Sequence, residues 1–233
     1  MASANSPLSN RTRIVRLVVS WLLVGIGVPF LVRAELGLAP LDVLNSGISE
    51  VTGWSFGLCF MLDSLLFFAI GGLLGARLGW ACVVGSVVIG PIINLVLSAI
   101  PDQEALAVRI PMLAAGILII AIAICLVVST NLGPGPTEVV MLGLVYRGLG
   151  IVPARWISDG VPVVVGALLG GALGVGTIVF AIGMGPMVKF GLGRLGYRTA
   201  TSGSSTTRLS SPVGPTAVPP RMVTRRMRRS APP

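Results

Sequence analysis

Six apolar runs, each close to twenty residues long, constrain this chain more than any other feature. They cover residues 14–32, 55–75, 78–100, 110–128, 156–172 and 175–192. About twenty apolar residues in a helix cross the ~30 Å hydrocarbon core of a bilayer. Spanning segments must satisfy their own backbone hydrogen bonds, so only helices and closed barrels qualify. Barrel strands would show ten-residue alternation, which these runs lack. The chain is 54% hydrophobic and only 11% charged. A water-facing domain carries about a quarter charged residues. The expected fold is an all-α polytopic membrane protein with about six transmembrane helices. The first run follows Arg11, Arg13 and Arg16 but is too long for a signal-peptide core, and no small-residue cleavage site follows it.

Charge sets the expected topology. Seventeen Lys and Arg stand against eight Asp and Glu. With the N-terminus inside, fifteen of the seventeen basic residues fall on the cytoplasmic face, and only Arg33 and Arg109 fall outside. A multi-pass cell-membrane protein with both termini cytoplasmic is therefore expected. The basic excess is topological, and no nucleic-acid partner is expected. From Thr199 onward the chain turns rich in Ser, Thr, Pro and Arg without apolar periodicity. Such a tail is expected to be disordered. Its cluster of Arg221, Arg225, Arg226, Arg228 and Arg229 is suited to anionic lipid headgroups.

The sequence repeats itself. The stretch Leu36-Gly37-Leu38-Ala39-Pro40-Leu41-Asp42-Val43 matches Leu132-Gly133-Pro134-Gly135-Pro136-Thr137-Glu138-Val139, 96 residues on. The same offset relates Gly47 to Gly143 and Asp63 to Asp159. After one deletion the offset is 95, which relates Gly71, Gly75 and Gly79 to Gly166, Gly170 and Gly174. Each copy holds three spans, an odd number, so the second copy enters from the opposite face. The expected organisation is a short N-terminus (1–12), two inverted three-helix repeats (13–105 and 106–198), and the tail (199–233). Inverted repeats recur in secondary transporters, whose sites lie at the repeat interface.

The candidate site residues follow from the repeat. In segments 39–53 and 134–150 a Pro is followed two residues later by an acid, Asp42 or Glu138. Pro at the first helical position and an acid in the first turn are helix-start signals. Each segment is expected to be a short extra helix, interfacial or re-entrant. Asp63 and Asp159 sit inside apolar runs, where a carboxylate is costly and usually faces a partner or a cavity. Arg155 lies one turn before Asp159 and can pair with it. Asn94, one turn beyond Pro91, can satisfy a freed carbonyl or line a pocket. The four acids are expected to form a quartet between the repeats, with at least one carboxyl titrating above its ordinary range. The two glycine ladders read as small-residue faces for close helix packing. Cys59, Cys82 and Cys125 read as packing residues, and the chain has no histidine. Accordingly no catalytic residue, metal site or cofactor is expected, and the chain is not expected to be an enzyme.

The run LGLAPLDVLNSGISEVTGWSFG, followed by a three-glycine ladder, resembles the YczE/YitT-type bacterial integral membrane proteins. Their pattern is approximately LGxxPWDVLxxGLSxxTGxSxG. Leu41 stands where that pattern has Trp, and the second copy, LGPGPTEVVMLGLVYRGLG, is looser. The resemblance covers both repeats, about residues 13–192, and implies fold and location but no substrate. Three functions remain in view, the least favoured an intramembrane enzyme built on an Asp pair. A transporter or permease for a small solute, with proton coupling, fits the inverted repeat and paired acids. A non-transporting accessory protein that assists another enzyme or protein fits the small size and sparse polar groups.

Overall fold

The structure is a computed structural model, and it describes residues 9–195. The expectations for the tail and for the first residues lie outside them. Among these described residues eight helices follow one another: α1 (Asn10–Ala34), α2 (Pro40–Thr52), α3 (Phe56–Leu73), α4 (Trp80–Ala99), α5 (Leu106–Thr130), α6 (Pro136–Tyr146), α7 (Ile151–Leu168) and α8 (Val175–Arg194). Six of these, all but α2 and α6, are long and apolar enough to cross a membrane. Large apolar side chains crowd the outside, among them Leu73, Trp156, Leu168, Val175 and Ile182. Among the described residues ten polar or charged ones are also buried, including Asp42, Asn45, Asp63 and Ser64. The interior keeps an apolar core around Val28, Leu31, Ile93 and Ile117, so apolar side chains face both ways, as suits a lipid solvent.

The run expected at 156–172 is displaced. Helix α7 begins at Ile151 and ends at Leu168. The polar residues near its start hid its first turn from a hydropathy reading, yet Arg155 and Asp159 pair with each other and so stay within the helix.

The element order runs long, short, long, long, and then repeats. Pairing respects the same operation. Helix α2 packs on α7, and its counterpart α6 packs on α3. Helix α1 packs on α4, and α5 on α8. Helices α1 and α5 lie against each other and run antiparallel. Arg16 near the start of α1 donates to Ser129 at the end of α5 (3.0 Å), while Arg109 near the start of α5 donates to the carbonyl of Ala34, which ends α1 (2.6 Å). Corresponding helix ends are also alike. Helix α1 stops at Glu35 and α5 at Asn131, both left-handed (φ 48° and 54°). The described residues form one compact unit.

The deletion between the copies falls earlier than expected. Gly53 and Gly148 share a positive φ, 71° and 98°, and are already 95 apart. Helices α3 and α7 are both 18 residues long and stay 95 apart from end to end. Asp63 therefore corresponds to Ser158, and Asp159 to Ser64. One residue is 100° of helix rotation, so a gap is tolerated in a turn and not within a helix.

The glycine ladders are not continuous packing faces. Gly71 and Gly166 do lie in α3 and α7, against Val139 and Val43 of the other repeat's short helix. Gly75 and Gly170 lie past the helix ends with φ 97° and 87°, where a turn needs a residue without Cβ. Gly79 and Gly174 precede α4 and α8 and abut the backbone at Leu132 and Leu36. The three cysteines are free thiols.

Asn94 neither lines the cavity described below nor repairs a break at Pro91. Its Oδ1 accepts from the Gly57 amide (2.8 Å) and its Nδ2 donates to Ser55 Oγ (3.0 Å), so it caps the start of α3 from α4. The first amides of a helix lack intrahelical partners, and the Ser55 side chain makes no cap bond of its own. Asn94→Ala is expected to destabilise the protein by about 1–2 kcal/mol. Thermal unfolding of the detergent-purified variant checks this, and an unchanged midpoint would exclude the cap.

Candidate functional site: a cavity lined by both halves of the chain

The antiparallel α1–α5 pair and the exchanged short helices leave a space between the two halves. A cavity of about 1300 Å³ opens there, lined from α1, α3, α4, α5, α7 and α8 and by the starts of α2 and α6. The loop before α2 is pinned to the start of α8, where Leu38 N donates to Thr177 Oγ1 (3.1 Å) and Gly176 N to Leu36 O (2.6 Å). The loop before α6 is held at the start of α4 by the Cys82 thiol, which donates to Pro134 O (2.7 Å). The pattern is repeated with changed chemistry, because Pro134 has no amide to donate. These anchors direct Pro40, Leu41 and Asp42 from one half, and Pro136, Thr137 and Glu138 from the other, to the cavity wall. Both short helices thus present their positive N-terminal ends to it.

The four acids divide into two pairs. In the second half, Arg155 bridges both carboxylates: its Nε is 2.5 Å from Asp159 Oδ2 and its Nη1 is 3.4 Å from Glu138 Oε1. All three residues line the cavity. In the first half, Asp42 lines the cavity, and Asp63 is buried just behind it, next to the lining residue Ser64. The Asp42 charge bears on Asp63. Asn45 donates from Nδ2 to Asp42 Oδ1 (3.3 Å). Three of the four acids share one cavity. The ion pairs among them, Arg155 with Glu138 and with Asp159, lie within the second half.

Sequence reading passed over Asn45, Ser64 and Ser158, although all three are buried. Ser64 and Ser158 become visible once α3 and α7 are set 95 apart, because each then faces an Asp position of the other copy. Asn45 carries no such signal, since Met141 occupies its place in the second copy. The apolar wall includes Trp21, Phe60, Phe68 and Phe180. The lining therefore combines a few charged groups with a wide apolar surface. A small molecule held there meets a guanidinium, carboxylates and hydroxyls together with aromatic rings.

The family of unknown function DUF6198 matches residues 11–192, and the chain belongs to it. An uncharacterized protein of Haemophilus influenzae is 30% identical over 175 residues, covering 75% of this chain and 80% of that protein. No solved structure matches.

Proposed function

We propose that this DUF6198 member is a transporter of permease type for a small solute that carries an apolar part and a charged or hydrogen-bonding group. The observation that carries the reading is the cavity between the repeats, with the start of one short helix entering from each half. Secondary transporters hold their substrates between inverted repeats, at the N-terminal ends of short helices. In this reading the two halves are inverted copies, which the antiparallel α1 and α5 support, and rocking one against the other opens the cavity to alternate sides. The chain resides in the cell membrane with both termini cytoplasmic, belongs with the YczE/YitT-type proteins, and moves its ligand without catalysing a reaction on it. Coupling to an ion movement uses the buried acids.

Uptake by proteoliposomes tests the reading. The wild-type chain is expected to speed entry of at least one member of a panel of small amphiphilic acids, amines and zwitterions. Asp159→Asn is expected to slow it at least about tenfold, as loss of a charge-assisted contact does. A folded, monodisperse protein that moves no member would overturn transport in favour of the accessory role.

A further inference from the structure

Each half carries a polar site at matching positions, and the two versions differ in where the second acid stands, in Asn45 against Met141, and above all in the cation. In the second half two carboxylates, Glu138 and Asp159, share the guanidinium of Arg155. Transposed by 96 residues for the short helices and 95 for the spans, Glu138 falls on Asp42, Ser158 on Asp63, Asp159 on Ser64, and Arg155 on Phe60. The first half thus keeps two carboxylates but has a phenylalanine where the second has its cation.

The groups there are deeply enclosed. Asp42 is 4% exposed, Asp63 3%, and Asn45 and Ser64 0%. In this group Asn45 Oδ1, both Asp63 carboxyl oxygens and Ser64 Oγ are buried without a hydrogen bond of normal geometry, and elsewhere among the described residues Arg13 Nε and Arg33 Nε are in the same state. The four in this group are all oxygens. Buried polar atoms are almost always paired, and a buried carboxylate without a partner is costly. A cluster of unpaired oxygens with two acids in it has the composition of a cation site.

We propose that Asp42, Asn45, Asp63 and Ser64 bind a monovalent alkali cation, sodium by preference, which fills in the first half the role that the Arg155 guanidinium fills in the second. Oxygen-only donors select hard cations. One positive charge suffices for two carboxylates in the sister site, and the N-terminal end of α2 adds partial positive charge at Asp42. A divalent ion is therefore not required. Among the described residues no three His, Cys, Asp or Glu side chains gather to hold a metal, so the amide and hydroxyl oxygens complete the set. Asp42 and Ser64 line the cavity, which supplies the ion's route in. As the coupling ion's site this deepens the transport reading and rests on it, but occupancy is measured without any flux, so each can fail alone.

The full-length chain, purified in detergent, is melted in choline, potassium, sodium and calcium chloride at constant ionic strength. Sodium is expected to raise the midpoint saturably, and radioactive sodium to bind at one ion per chain. Asp63→Asn is expected to weaken the sodium effect at least about tenfold, the loss expected when a carboxylate ligand is removed. Phe60→Arg, which installs the sister site's tethered cation, is expected to remove the sodium dependence while the protein remains folded. Identical midpoints in choline and sodium, with no bound radioactive sodium, would overturn the site. A response to calcium alone would overturn the monovalent assignment. If neither variant folds, radioactive sodium binding by the wild-type chain decides.

Discussion

Gly166→Ala is expected to unfold or severely loosen the protein, although it adds a single methyl group. A Cβ at Gly166 would stand 2.5 Å from the carbonyl carbon and oxygen of Val43 and from the amide nitrogen of Leu44. These are backbone atoms of α2, which have no rotamer to move into, so the whole short helix must retreat from α7. Overpacking of this kind costs typically 1–3 kcal/mol, and more where the neighbour is rigid; about 3 kcal/mol or above is expected here. The counterpart Gly71→Ala is expected to act in the same direction, since its Cβ would meet Val139 of α6. Gly183→Ala is the control. It lies within α8 with nothing within 4 Å, so replacing a helical glycine there should be neutral or stabilise by up to about 1 kcal/mol. Thermal unfolding of the purified variants, followed by loss of the monodisperse peak, measures all three. Equal midpoints for Gly166→Ala and Gly183→Ala would show that α2 does not rest on α7.

The same glycines mark what a sequence reader can see and what needs coordinates. Six spans are visible because lipid imposes a simple rule of length and hydropathy. The two short helices are visible because Pro40 and Pro136 occupy first-turn positions with Asp42 and Glu138 two residues on. The register of α3 against α7 is harder. Matching Asp63 to Asp159 by identity sets the offset one residue wrong, whereas Gly53 and Gly148, at the turn, set it right. Identity rewarded a shared acid, but helix geometry forbids the gap that this match demands inside α3. The difference matters chemically. Correct register shows that the acid has moved by one position between copies, from the first residue of Asp63-Ser64 to the second of Ser158-Asp159. Asp63 is thereby buried behind the wall, while Asp159 reaches the cavity. The role of Asn94 was hidden for another reason. Its partners, Gly57 and Ser55, are 37 and 39 residues away, and no local pattern announces a cap supplied by another helix.

Arg155→Met is expected to expose the logic of the second site. Removing one partner of an enclosed ion pair leaves the other charge uncompensated, a loss of about 3–5 kcal/mol when the pair is fully buried. The Arg155 side chain is 46% exposed, so water in the cavity screens part of this, and about 1–3 kcal/mol is expected. The penalty lies in the orphaned carboxylates and not in the missing arginine. Adding Glu138→Gln and Asp159→Asn to Arg155→Met should therefore recover most of the lost stability, a coupling that additive effects would not produce. The single variant also has a second consequence. With Arg155 gone, Glu138 and Asp159 become two carboxylates without a tethered cation, the condition that Asp42 and Asp63 are in already. Arg155→Met is accordingly expected to gain sodium-dependent stability beyond that of the wild type, and the triple variant to lose this gain. Unfolding midpoints in sodium and in choline, across the wild type and both variants, measure the coupling and the ion effect together. Additive losses with no added sodium response would mean that Arg155 packs against the wall without compensating the acids, and the equivalence between its position and Phe60 would then carry no electrostatic meaning.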